Sequence, residues 1–139
     1  MESCQQAAVR RRLGVGGLAV NPRIDATRFG SITIAGEEYE HDIVIRLDGA
    51  VKKRKKKLSK VIYGTSHTMS REEAKAVFEP GAERLIVGTG QSGALHLSDE
   101  AAEYFRKKGC AVDLHPTPRA RAVWNATTGA AIGLFHVTC

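Results

Sequence analysis

Alternation is the first order visible in the chain. In RFGSITIAG, residues 28–36, Ile32 and Ile34 alternate with polar neighbours and Gly36 follows, which predicts a strand ending in a turn. HDIVIRL (41–47) predicts a second strand. Asp48-Gly49 after it signals a tight hairpin, because glycine takes a positive φ without strain. Val51 then opens the return strand, which runs into lysines; cations on such a strand would guard an exposed sheet edge.

Past residue 70 the period lengthens. Ser70-Arg71-Glu72-Glu73 is written as a capping box, in which Ser70 and Glu73 satisfy each other's free amides. It opens a helix with Ala74, Val77 and Phe78 inward, stopped at Pro80-Gly81. RLIVG (84–88) is an apolar run of strand length. ALHL (94–97) reads as extended or irregular, and Ser98 caps a second helix through Lys108, with Gly109 as its left-handed stop. CAVDL (110–114) is a strand. Thr117-Pro118 reads as cap plus first-turn proline for a third helix, with Ala120, Val123, Trp124 and Thr127 on one face and Gly129 beyond its end. AAIGLFHV (130–137) is a further strand. A hairpin followed by α, β, α, β, α, β predicts an α/β fold, with a sheet covered by about three helices.

Residues 1–26 sustain no period and are expected to form a flexible N-terminal extension, leaving 27–139 as a single domain. RRRLGVGGLAV has the outline of a secretory signal, but its apolar run is short and glycine-rich, and no small-residue cleavage site follows. With 139 residues, 42% hydrophobic and 26% charged, the chain suits one globular domain. No apolar stretch approaches the roughly 20 residues needed to span a bilayer. Cys4, Cys110 and Cys139 are an odd number without metal-finger spacing, so a disulfide framework is not expected and a reducing cytoplasm is.

The net charge of +6 is local. KKRKKKLSK (52–60) holds seven of the 21 basic residues and no acid. Lys52, Lys53, Arg54, Lys55, Lys56, Lys57 and Lys60 are therefore the candidate contacts for a nucleic acid, whose phosphates they would neutralise. Only Tyr63 is close by, so base stacking is not indicated. The plainer reading is a solvated edge strand and loop.

LIVGTGQSG holds G-x-G-x-x-G at Gly88, Gly90 and Gly93, with Asp113 twenty residues further on, the written form of a dinucleotide fingerprint. Three features oppose it. The stronger helix start is Ser98, well past the last glycine; too little chain follows for a second mononucleotide half; and Asp113 fits the solvent side of a strand. No cofactor is expected. A strand ending in Thr89, Gly90, Gln91 and Ser92 could instead present successive amides to a small anion, against the plainer reading of a tight turn. Ser66 and His67 in GTSH suggest a nucleophile and base, but no third, orienting group is identified, and an ordered turn explains them as well. His136 and Cys139 are spaced H-x-x-C, which on a strand points them to opposite faces. With His67 they could bind a metal, but a partly buried histidine and a buried thiol are the expected reading, so no metal and no catalytic residue is assigned.

RFGSITIAGEEYEHDIVI, YGTSHTMS, LIVGTGQSGAL, FRKKGCAVDLHPT and FHVTC together resemble a family of small α/β proteins of unknown function. Its animal relatives include the adipogenesis-associated domain protein and mitochondrial respiratory complex I assembly factor three. The resemblance covers residues 27–139, and GTSH with its basic stretch looks closest to the archaeal branch. It implies a single compact domain with a mixed central sheet and no established catalytic residues. The functional expectation is therefore a non-catalytic cytoplasmic binding or assembly-type accessory factor, presenting the Gly90 and GTSH loops to a protein partner. The alternatives are a nucleic-acid contact through 52–60, and an enzyme or binder of a small anion held by Ser66, His67, Thr89, Gly90, Gln91 and Ser92.

Overall fold

The computed structural model describes residues 21–139; the sequence readings for residues 1–20, Cys4 and the arginines at 10–12 among them, lie outside these. Ten strands and four helices follow in the order β1 (Ile24–Arg28), β2 (Ser31–Ile34), β3 (Glu37–Tyr39), β4 (Ile43–Ile45), β5 (Val51–Lys53), α1 (Lys57–Tyr63), β6 (Thr68–Met69), α2 (Arg71–Val77), β7 (Arg84–Thr89), β8 (His96–Leu97), α3 (Asp99–Lys107), β9 (Ala111–His115), α4 (Thr117–Ala126) and β10 (Ala131–His136). The first strand begins at Ile24, and Asn21 and Pro22 before it are already bonded to Thr127 and Trp124.

The central sheet has the order β5-β4-β10-β7-β9. β10 runs parallel to β7 and antiparallel to β4, and β7 is parallel to β9, so the sheet is mixed. Its period-two alternation divides the core into two layers. On one face Val44, Leu85, Val87, Ile132 and Leu134 pack with Ala74 and Val77 of α2 and Ala101 and Phe105 of α3. On the other, Ile43, Ile45, Ile86 and Phe135 pack with Ala120 and Trp124 of α4 and with Ile24, Ile32 and Ile34 of the small β1-β2-β3 sheet. Burial on both faces is why β7 and β10 read as continuous apolar runs. Trp124 lies edge-on to Phe135 and donates from Nε1 to the Pro22 carbonyl at 2.7 Å.

The hairpin at Asp48-Gly49 joins β4 to β5 as expected, with Gly49 at φ +87°. Three local readings need correction. The basic run does not continue as a strand: it breaks after Lys53 and forms α1, a fourth helix whose few inward residues leave no apolar period to read. Ser70 does cap α2 by accepting from the Glu73 amide at 3.0 Å, but Glu73 does not answer; the Ser70 amide donates to Ser59 Oγ at 2.8 Å instead. Thr117 is the first residue of α4 and not its cap: its hydroxyl donates to the His136 carbonyl at 2.7 Å and accepts from the Gly90 amide at 2.9 Å.

Among the described residues no helix is long and apolar enough to cross a membrane.

Candidate functional site

Arg54 was expected on the surface with its six lysine neighbours. Its side chain is instead fully enclosed, while Lys52, Lys53, Lys55, Lys56, Lys57 and Lys60 are exposed. A buried guanidinium must find partners for its donors. Nε and Nη2 grip Glu73 at 2.6 and 3.0 Å, Nη1 reaches Asp42 at 2.9 Å, and Nη2 also donates to the Ser66 carbonyl at 2.7 Å. Ser59 of α1 donates to the same Glu73 carboxylate. One arginine thereby ties together the end of β5, α1, the GTSH loop and α2, and it is no candidate for a phosphate contact.

Asp42 passes this network on to β10. Its second carboxylate oxygen accepts from the Val137 amide at 2.9 Å, and Oδ2 lies 2.8 Å from His136 Nδ1. Burial alone would raise its pKa, but the bonds from His136, Val137 and Arg54 outweigh burial and hold it at about 2, against an ordinary 3.8. An ionised carboxylate only accepts, so His136 Nδ1 carries the proton and Nε2 faces the other way. Because the unfolded chain binds the Asp42 proton more readily than the native one, this contribution is complete above about pH 5 and is lost as pH falls towards 2. Urea unfolding should accordingly show roughly 2 kcal/mol less stability near pH 2 than near neutrality from this group, and Asp42→Asn should flatten that part of the acid limb. An unchanged limb in the variant would place the acid sensitivity elsewhere.

Above the network three loops meet. The two-residue parallel ladder of β6 with β8 sets Thr68 beside His96, and the His96 amide donates to the His67 carbonyl at 2.9 Å. The glycine loop is bonded to the segment after β10: Gln91 and Ala94 donate their amides to the Thr138 and Cys139 carbonyls at 2.7 and 3.0 Å. Chain leaving β10 therefore turns along this loop, and strand alternation no longer governs it. His136 and Cys139, expected on opposite faces, converge; His67, His136 and Cys139 each place a ligand-type atom within 4.8 Å of the others. Cys139 is exposed, not buried. His67 Nε2 lies 3.9 Å from Cys139 Sγ, and its ring packs edge-on against His136 at 5.2 Å between centroids.

The glycines explain themselves here. Gly90 has φ +104°, and a Cβ on it would lie 2.7 Å from His136 Cδ2 and nearer still to the Cys139 main chain. A Cβ on Gly88 would lie 2.6 Å from Phe135 and 2.9 Å from Thr117 Oγ1. Close approach of backbone to neighbour, with α3 beginning only at Asp99, accounts for the motif. Asp113 pairs with Arg84 at 3.2 Å on the adjacent strand. Of the residues proposed to hold a small anion, Thr89 and Gly90 are buried in this packing, Gln91 is half-buried and Ser92 exposed, and the amides of Gly90, Gln91 and Ala94 are used within the fold. Gln91 Nε2 is buried without a hydrogen-bond partner among the described residues. Ser66 contributes its carbonyl to Arg54, and Thr65 Oγ1 orders the turn by accepting from the His67 amide at 3.1 Å. Two shallow hollows lie elsewhere, one between Asn21, Trp124 and Gly129 and the other between Glu83, Thr128 and Ala131.

Residues 24–132 match the family described as a protein of unknown function (DUF498/DUF598). The chain belongs to this family. Among solved structures it is similar to the conserved hypothetical protein PH1505 from Pyrococcus horikoshii OT3, at 34% identity over 84% of this chain and 99% of that one, with a TM-score of 0.77. A protein designated MT938 is likewise 34% identical over 86% and 100% of the two chains, with a TM-score of 0.72. A Bordetella pertussis protein described as a Mth938-like domain shares the fold at 16% identity, covering 91% and 92%, with a TM-score of 0.60. The match is consistent with the small unknown-function α/β family suggested by the sequence motifs.

Proposed function

We propose that this DUF498/DUF598 protein is a non-catalytic accessory domain that binds an acidic partner protein through α1 and the GTSH loop. The observation that carries it is the outer face of α1, where Val61 and Ile62 are 80% and 54% exposed between Lys57, Lys60 and Tyr63. Adjacent large apolar residues left in water mark an interaction surface more than a stability device, and the lysines around them select a partner of opposite charge. Arg54 supports this reading by pinning α1 and GTSH to the rigid core, so the surface is presented in one geometry. The resemblance to assembly-type relatives points the same way.

Contact with a nucleic acid is the second reading, favoured by six exposed lysines between residues 52 and 60. The two separate in one experiment. Proteins co-purifying with the native chain should be lost, by tenfold or more, from a Val61→Ser, Ile62→Ser variant, while retention on a polyanion column stays unchanged. Replacing Lys53, Lys56, Lys57 and Lys60 by glutamine should instead abolish column retention, whose affinity falls steeply with salt if phosphates are the target. Specific partners that survive the apolar substitutions would refute the proposed surface.

A further inference from the structure

We propose that His67, His136 and Cys139 form a binding site for a borderline-soft transition-metal cation, zinc(II) foremost, held by two imidazoles and one thiolate. The site borders the proposed partner surface at His67 of the GTSH loop, but cation binding does not depend on the partner reading.

The ligand types fit. Two nitrogens and a sulfur suit zinc, and tetrahedral bonds of about 2.0–2.3 Å put ligand atoms about 3.4 Å apart. The three atoms already lie within 4.8 Å, with Sγ and the His67 Nε2 3.9 Å apart, so a closure of about an ångström by side-chain rotation completes the set. They come from two segments far apart in sequence, brought together by the β6–β8 ladder and by the bonds from Gln91 and Ala94. Three protein ligands leave a fourth position for water or for a ligand from a partner.

The second argument is independent of ligand spacing. His136 is 4% exposed and is oriented by Asp42 through Nδ1, which leaves Nε2 as its metal-facing nitrogen. A carboxylate behind a histidine in this way fixes the ring and raises its basicity as a ligand. Thr138 Oγ1, 3.2 Å from that nitrogen, is the group a cation would displace. Composition agrees: two carboxyl groups, Asp42 and Glu73, share the single guanidinium of Arg54 behind the imidazole. Binding converts the Cys139 thiol to thiolate, its proton passing to solvent. Gly90 completes the design, since its missing side chain is what lets the main chain of Cys139 lie against His136.

The test uses the full chain carrying Cys4→Ser and Cys110→Ser, which leaves Cys139 as its one thiol. Titration with cobalt(II) should give one saturable equivalent, a near-ultraviolet thiolate-to-cobalt charge-transfer band and the visible bands of tetrahedral cobalt, all reversed by zinc(II). Further replacement Cys139→Ser should abolish the charge-transfer band. His67→Gln should weaken binding by about tenfold or more, whereas the exposed His96→Gln should leave it unchanged. Both ligand variants are near the surface and should keep the native circular dichroism. No saturable binding, a band surviving without Cys139, or equal weakening by His96→Gln would each overturn the proposal.

Discussion

Arg54→Ala should destabilise the fold by about 3–5 kcal/mol, a large share of what holds a domain of this size together. The reason lies in what remains behind. Removing the guanidinium strands Glu73 and Asp42 as buried carboxylates, takes the donor from the Ser66 carbonyl and unties the end of β5 from α2. An intact buried ion pair need not be a net stabiliser, but half of one is strongly unfavourable. Arg54→Lys should recover only part of the loss, because an ammonium cannot make the two-pronged bond to Glu73 while reaching Asp42. Lys55→Ala, next in sequence and exposed, should change stability by no more than about 0.5 kcal/mol. Urea unfolding of the three variants decides the matter: an Arg54→Ala protein within about 1 kcal/mol of native would mean that the carboxylates escape to water or take up protons cheaply.

Gly90→Ala comes next, at about 2–4 kcal/mol. Two penalties coincide. At φ +104° a side chain is strained whatever the space, and here there is none, because His136 and the Cys139 main chain occupy it. The bonds from Gln91 and Ala94 to that segment would be pushed apart as well. Gly109→Ala is the control: its φ is +69° with nothing within 4 Å of a Cβ, so only about 1 kcal/mol of left-handed strain is expected. Thermal unfolding of the pair should rank Gly90→Ala well below Gly109→Ala. Equal melting temperatures would mean that the loop and the segment beyond β10 adjust freely.

The sheet was legible because both of its faces are buried. Ile86 and Val87 belong to different core layers, yet both are apolar, so β7 is visible as an uninterrupted run whichever way it faces. The caps at Ser70 and Ser98 were legible because a cap is a local bond, made three residues along the chain. Arg54 was not, since its partners stand far off in sequence and its neighbours share its charge. One signal was present: it is the single arginine among six lysines, and a planar, five-donor group is the cation that tolerates burial. α1 was hidden by its own composition, since its buried residue is the polar Ser59 while Val61 and Ile62 face water. The meeting of His67, His136 and Cys139 was hidden for another reason. Strand periodicity was applied past His136, where the strand ends and bonding to the glycine loop takes over.

The placing of β10 in the middle of the sheet has a kinetic consequence. Val44 pairs with Leu134, and Leu134 with Val87, so within the sheet the hairpin and the first parallel strand are joined through a segment translated long after both. Until it emerges from the ribosome, the two halves expose open hydrogen-bonding edges and bare isoleucines. Such non-local pairing is formed late, and it leaves a chain open to aggregation while it waits.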